Sequence, residues 1–178
     1  MAKKSFPLAK VYTLLGSGPV ILVSTAHRDK RNVMPMSWHT PMEFEPPLVG
    51  LILSDQNYTF GLLRASKECV LNIPTVKIAQ KAVACGNVHG NHVDKFEKLG
   101  LTPRPASVVG APLIEECYAN LECRVFDTRL VNSYGFFIVE VVKAWVDPAV
   151  KNPQTLHHLG EEKFMVAGKR IKMKPRLK

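Results

Sequence analysis

Apolar and polar positions along this chain recur with the spacing of strands more often than that of helices. Residues 19–27 (P-V-I-L-V-S-T-A-H) form a β-branched run after Gly16-Ser17-Gly18 and end in the polar turn His27-Arg28-Asp29-Lys30-Arg31-Asn32. From Val33 to Thr40, Val33, Pro35 and Ser37 alternate with Met34, Met36 and Trp38. That period of two predicts a hairpin partner with one apolar face. Pro35, which has no N–H for a ladder, suits an edge or a bulge. Pro46-Pro47 opens a third strand, Leu48 to Ser54, which is apolar on both faces and so expected inside a sheet. Glu68–Ile73, Cys117–Asn132 and Phe136–Val146 read as further strands, the last two joined through Ser133-Tyr134-Gly135. Lys163 to Ile171 reads as a closing hairpin that turns at Gly168-Lys169.

Helical spacing is confined to the middle of the chain. Asp55 to Asn57 is a turn with an N-cap candidate, followed by a short helix from Tyr58 to Ala65. Ile78, Ala79, Ala82 and Val83 share one face of a helix from Val76 to Cys85, stopped at Gly86. Asp94 to Leu99 makes another short helix closed by glycine; residues 102–113, with three prolines, read as a loop, and residues 148–160 as a loop with a helical turn. About seven strands with short central helices do not give the strict alternation of a doubly wound parallel sheet. They predict a mainly β fold, an antiparallel barrel with inserted helices.

With 178 residues the chain is expected to form one domain. A domain this long buries roughly 70% of the surface its unfolded chain exposes, so it needs no disulfide or metal to hold together. The formal charge of +9 changes meaning once it is located. Residues 1–10 carry three basic groups and residues 168–178 carry six, with no acid in either stretch. Removing these nine leaves 15 basic residues against 15 acidic ones, so the centre of the chain is neutral. The basic ends read as solubilising, partly flexible tails, or as contacts for an anionic partner. They lack the basic–aromatic interleaving of single-strand binders, which makes nucleic acid an unfavoured partner. No apolar stretch reaches membrane-span length, and Met1-Ala2-Lys3-Lys4 has no apolar run behind it, so a cytoplasmic location is expected. Cys69, Cys85, Cys117 and Cys123 never form a C-x-x-C pair and are expected as reduced thiols. Cys117 and Cys123, an even number of residues apart, would share a face of one regular strand.

Several familiar chemistries are missing. Gly16-x-Gly18 precedes a strand and lacks a third glycine, so it fails the dinucleotide fingerprint. There is no G-x-x-x-x-G-K-[ST] and no G-x-S-x-G. Glu43/Glu45, Glu115/Glu116 and Glu161/Glu162 are carboxylate pairs in polar, loop-like contexts. Cys85, His89 and His92 have zinc-ligand types, but no fourth ligand is near and Gly86 and Gly90 loosen the segment. The stretch from Asn32 to Thr59 is richer. Ser37, Trp38, His39 and Thr40 put a ring, an imidazole and two hydroxyls in succession near a strand end. Ser54, Asn57, Tyr58 and Thr59 surround a helix start, where free N–H groups and the helix dipole favour an anion. Asn57 and Thr59 serve equally well as plain helix caps. Together these features suit a ligand with a flat ring at one end and a phosphate at the other.

The order Gly18-Pro19-Val20, Asn32-Val33-Met34-Pro35-Met36-Ser37-Trp38-His39-Thr40-Pro41, Pro46-Pro47-Leu48, Tyr58-Thr59, Asn72-Ile73-Pro74, Cys85-Gly86, Asp94-Lys95-Phe96, Gly100-Leu101-Thr102-Pro103, Gly110-Ala111-Pro112-Leu113-Ile114 and Leu121-Glu122-Cys123 resembles the flavin reductase-like family, in particular its flavoredoxin-type members. The resemblance covers roughly residues 15–145. It implies a Greek-key split β-barrel, a homodimer, and FMN bound near the subunit interface. By position, Met36, Ser37, Trp38, His39 and Thr40 would line the flavin ring and ribityl chain. Ser54, Asn57, Tyr58 and Thr59 would hold the phosphate. Asn72 to Thr75, Cys85, Gly86 and Lys95 would close the site, and Phe164 would add an aromatic wall. The implied activity is a flavin-dependent oxidoreductase that takes electrons from a donor such as NAD(P)H. These would pass to flavin, a metal complex or a protein. The alternatives are an FMN electron carrier without direct NAD(P)H oxidation and a non-redox nucleic-acid-binding barrel. His89 stands where many members have a small residue, and the basic C-terminal extension departs from the family pattern.

Overall fold

The computed structural model describes residue 7, residues 12–15 and residues 18–173. In chain order its elements are α1 (Tyr12–Leu15), β1 (Ile21–His27), β2 (Lys30–Met36), β3 (His39–Phe44), β4 (Pro47–Ile52), α2 (Tyr58–Ser66), β5 (Glu68–Ile73), a 3₁₀ turn (Val76–Ile78), α3 (Ala79–Ala84), α4 (Lys95–Leu99), β6 (Pro103–Arg104), β7 (Leu113–Ile114), β8 (Ala119–Asp127), α5 (Val131–Tyr134), β9 (Phe136–Val146), β10 (Leu156–Gly160) and β11 (Lys163–Val166). Seven strands form one antiparallel sheet in the order β2-β1-β5-β8-β9-β4-β3. β2 and β3 lie at opposite ends of that order, yet only Ser37 and Trp38 separate them in sequence. The sheet must therefore curl until its two edges nearly meet, which makes a split barrel.

Alternation along the strands sorts side chains between two cores. Ile21 and Val23 of β1 point inward with Met36, Leu51, Leu53, Leu71, Phe137 and Val139. Phe60 and Leu63 of α2 join them, so this helix stops the barrel, with Phe60 edge-on to Phe137 at 5.3 Å. Leu22, from the opposite face of β1, packs outside with Val33, Ala82, Cys85, Phe96, Leu101 and Ile114. β1 is thus buried on both faces over its first half, which is why Ile21, Leu22 and Val23 are apolar in succession.

One buried carboxylate ties a long loop to this barrel. Glu122 in β8 is fully buried. It accepts hydrogen bonds from the backbone N–H groups of Ser107 and Val108 (3.0 and 2.7 Å), from the Ser107 hydroxyl (3.1 Å) and from Trp145 Nε1 (2.7 Å). Burial pushes this carboxyl up, but the Trp145, Ser107 and Val108 donors outweigh it and hold it below the usual glutamate range.

The structure corrects several expected boundaries. Residues 33–40 are not one strand: β2 ends at Met36, and β3 begins at His39 on the other edge of the sheet. The carbonyl of Trp38 already accepts from Ile52 N, so the chain changes edges within two residues while the period of two runs on. The strand expected over 117–132 stops at Asp127, and residues 131–134 form α5. Cys117 precedes β8 and belongs to the outer cluster, whereas Cys123 lies in the barrel, so the two do not share a face. The expected 148–160 loop contains β10, and the closing hairpin turns at Gly160-Glu161, both at positive φ, rather than at Gly168-Lys169. Residues 168–173 carry no helix or strand, and most of the basic ends lies outside the described residues. Among the described residues no helix is long and apolar enough to cross a membrane.

Candidate functional site

The start of α2 opens onto a cavity of about 140 Å³ lined by residues of β2, by Gln56 to Thr59, and by the segment from Cys85 to Lys95. Asn57 precedes the helix in extended conformation but makes no side-chain cap. The first-turn N–H groups of Tyr58 and Thr59 are therefore left for whatever occupies the cavity, and the helix dipole favours negative charge there. Lys95, only 5% exposed, adds a buried cation whose Nζ donates to the Cys85 carbonyl at 2.7 Å. Burial pulls this ammonium below the ordinary lysine range, with the neighbouring Cys85 working the other way. The Cys85 thiol is pushed up to about 11 by burial, against the pull of Lys95, so it is a poor nucleophile near neutral pH.

Lys95 is aimed by its neighbours. Asp94 caps α4, accepting from Phe96 N at 2.8 Å, and its carboxylate pairs with Arg31 at 2.6 Å. Arg31 in turn lies 5.1 Å over the Phe96 ring. This clamp fixes the first turn of α4, so the next residue points under the 85–90 segment. Asn32, which sequence reasoning did not single out, lines the same cavity. It is buried, and its Nδ2 donates to Thr59 Oγ1 at 2.8 Å while its Oδ1 has no partner among the described residues. Turning the amide over exchanges donor and acceptor, so either orientation leaves one polar atom for a ligand. Gly90 is required over it, because a Cβ there would come within 2.0 Å of Asn32 Oδ1.

A second cavity, of about 330 Å³, shares the Pro35 and Gly86 walls with the first. Val20, Met36, Ser37, Val83, His158 and Phe164 complete most of its lining. The Phe164 ring lies 5.0 Å from that of His158, whose Nε2 donates to the Glu161 carbonyl at 2.9 Å. The hairpin β10–β11 thus lays an aromatic flap over an apolar groove, beside a cationic, donor-rich pocket.

The structure brings Met36, Ser37, Asn57, Tyr58, Thr59, Cys85, Gly86, Lys95 and Phe164 together around these joined cavities. It does not bring in the rest. Trp38 and Ser54 line a separate cavity of about 470 Å³. His39 Nε2 donates to the Pro19 carbonyl at 2.7 Å, and Thr40 is exposed on β3. Asn72 is consumed by the fold: its Nδ2 donates to Leu22 O and Ser24 Oγ, and its Oδ1 accepts from Ile114 N and Asn120 Nδ2. Thr75 lines yet another cavity, beside Glu116 and Asp147. Among the described residues no three His, Cys, Asp or Glu side chains converge as a metal site.

A split barrel with a donor-lined anion pocket running into an apolar groove defines a binder of phosphorylated planar rings. The comparisons agree with that class. The flavin reductase like domain matches residues 16–164, and the chain belongs to the flavin reductase-like family. It is 34% identical over 172 residues to YddH of Escherichia coli K12, an uncharacterised protein, covering 89% of this chain and 91% of that one. Among solved structures it resembles an FMN-binding domain of a flavin reductases-like enzyme from Shewanella baltica, with 26% identity and TM-score 0.83 over 96% of this chain and 97% of that one. It has the same fold as flavoredoxin of Desulfovibrio vulgaris, with TM-score 0.85 at 23% identity over 97% of both chains.

Proposed function

We propose that this chain is an FMN-dependent oxidoreductase that accepts electrons from NAD(P)H and delivers them to free flavin, a metal complex or a protein partner. The observation that carries the reading is the junction of the two cavities. An uncapped helix start, a buried lysine and an Asn32 amide atom without a partner adjoin a groove with an aromatic flap. The donor set fits a phosphate monoester, and the groove fits a flat tricyclic ring. Tyr58 and Thr59 N–H groups and Lys95 would hold the phosphate, Asn32 a neighbouring polar atom, and Met36, Pro35 and Phe164 the ring. FMN, when bound, supplies hydride and single-electron chemistry. The protein's part is to seat the ring, exclude water from one face with Phe164 and His158, and leave the other edge open to a donor. Anaerobic stopped-flow mixing of the FMN-loaded protein with NADH and with NADPH tests the donor. Rapid bleaching of the visible flavin band by either is expected. Bleaching by neither removes the direct reductase activity and leaves an electron carrier.

The homodimer implied by the family resemblance finds support in β3. This strand ends the sheet order, and its residues from Thr40 to Phe44 are exposed, Phe44 at 96%. Met42 and Phe44 are large apolar side chains left exposed on this edge strand, and a partner surface normally covers such groups. Light scattering is expected to give twice the chain mass, and a monomer mass at micromolar concentration contradicts it.

A further inference from the structure

We infer that the cavity beside Trp38 is a binding site for a small aromatic carboxylate, distinct from the flavin pocket. Its volume, about 470 Å³, lies in the range of small-molecule sites, and it shares no lining residue with the two cavities assigned to FMN. Its walls carry two rings that are partly exposed to solvent, Trp38 at 56% and Tyr134 at 72%, backed by Ile52 and Phe60. Two flat apolar faces of this kind suit an aromatic body better than an aliphatic one.

The charge on the wall selects the other end of the ligand. Arg64, in the last turn of α2, is exposed and makes no hydrogen bond or ion pair among the described residues. A guanidinium left open in this way presents a planar fork that matches a carboxylate with two parallel hydrogen bonds. Asp55 is the one carboxylate in the lining, and Gln56 Nε2 donates to its Oδ1 at 3.1 Å. Its negative charge disfavours polyanions, so one carboxylate fits where a diphosphate does not.

The floor is preformed. A Cβ on Gly135, which sits at φ +63 in the left-handed region, would clash with the Leu53 carbonyl. Leu53 N donates to Gly135 O at 2.9 Å, which locks the α5 turn to the end of β4. Gln56 N and Asn57 N close the opposite turn onto Ser54 Oγ and Ser54 O. Ligand binding there pays little ordering cost. Ser37 walls the ring groove and Trp38 the new cavity, so a bound acid lies across a single peptide link from the groove. Its role as a substrate rests on the flavin reading; its binding does not.

Calorimetric titration with benzoate, on FMN-loaded and flavin-free protein, tests the site. One benzoate per chain is expected in both forms. Arg64→Met should weaken benzoate by about tenfold or more, and the neutral isostere benzamide should bind about tenfold more weakly than benzoate to the wild type. FMN affinity should stay within about twofold in Arg64→Met, and Tyr134→Leu should weaken benzoate without changing the melting temperature materially. Absence of benzoate binding up to about 10 mM, equal binding of benzamide, or indifference to Arg64→Met overturns the inference. FMN binding without benzoate binding overturns this inference alone. Benzoate binding without FMN binding keeps the site and overturns the flavin reading.

Discussion

Lys95→Met is expected to weaken FMN binding by about 10- to 100-fold, which corresponds to ~1.5–3 kcal/mol for the loss of one charge-assisted hydrogen bond. The substitution nearly keeps the side-chain volume but removes the buried cation beside the α2 start and leaves the Cys85 carbonyl without its donor. Riboflavin, which lacks the phosphate, should bind wild type and variant alike. That comparison separates a lost phosphate contact from general damage to the pocket. The pH dependence follows from the same lysine. Burial lowers its pKa, so its charge is lost at a lower pH than that of an ordinary lysine. FMN affinity should therefore fall as the solution is made alkaline, beginning below the ordinary lysine range, and Lys95→Met should flatten that fall. An unchanged FMN affinity in the variant, measured by quenching of flavin fluorescence, contradicts the assignment.

Glu122→Gln is expected to destabilise the protein by ~2–3 kcal/mol. Glu122 meets four donors, and an amide turned into that cradle sets an N–H₂ group against one or more of them. The sign of the pH dependence is fixed by the lowered carboxyl. A carboxylate held below its unfolded value contributes full stability above about pH 4.3 and loses it as pH falls through its folded value. Wild type and Glu122→Gln should then be well separated near neutrality and converge in acid. Denaturant titrations at a series of pH values read this directly, and a constant gap across that range contradicts it. The 102–113 segment, tied down by Ser107 and Val108, should be the first to gain hydrogen exchange in the variant.

Much of the barrel was legible because its strands obey simple periodicity. Glu68–Ile73 and Phe136–Val146 coincide with β5 and β9, and the Asn57–Tyr58 boundary coincides with the start of α2. These segments are long enough, and their neighbours polar enough, for local pattern to decide. The change of edge at Ser37-Trp38 was not legible, since both strands keep the same alternation and only the closing of the sheet separates them. β10 was hidden because its sequence, L-H-H-L-G, is polar at its centre and its turn uses Glu161 at positive φ, a residue type that does not advertise such a turn.

The site divides along similar lines. Tyr58, Thr59 and Lys95 meet where the helix-start reasoning and the family resemblance put an anion. Asn32 escaped notice because its company is nonlocal: Thr59 reaches it from α2 and Gly90 covers it from a loop 58 residues further on. Asn72 was placed in the site by its motif, but strand parity turns it outward. Leu71 faces the barrel, so the next residue faces Ser24 and Asn120 on the other side. Trp38 and Ser54 are close in sequence to the proposed flavin pocket and still face another cavity: Trp38 sits where the chain turns from β2 to β3, and Ser54 follows β4, whose Ile52 N donates to the Trp38 carbonyl.

The central claim is that one pocket at the start of α2 recognises the phosphate of a flat redox cofactor. Parallel calorimetric titrations of the flavin-free protein with FMN and with riboflavin test it most directly. One FMN per chain is expected, bound at least about tenfold more tightly than riboflavin, with the difference shrinking as salt screens the phosphate contact. Equal affinity for the two, or no heat with FMN, contradicts the account.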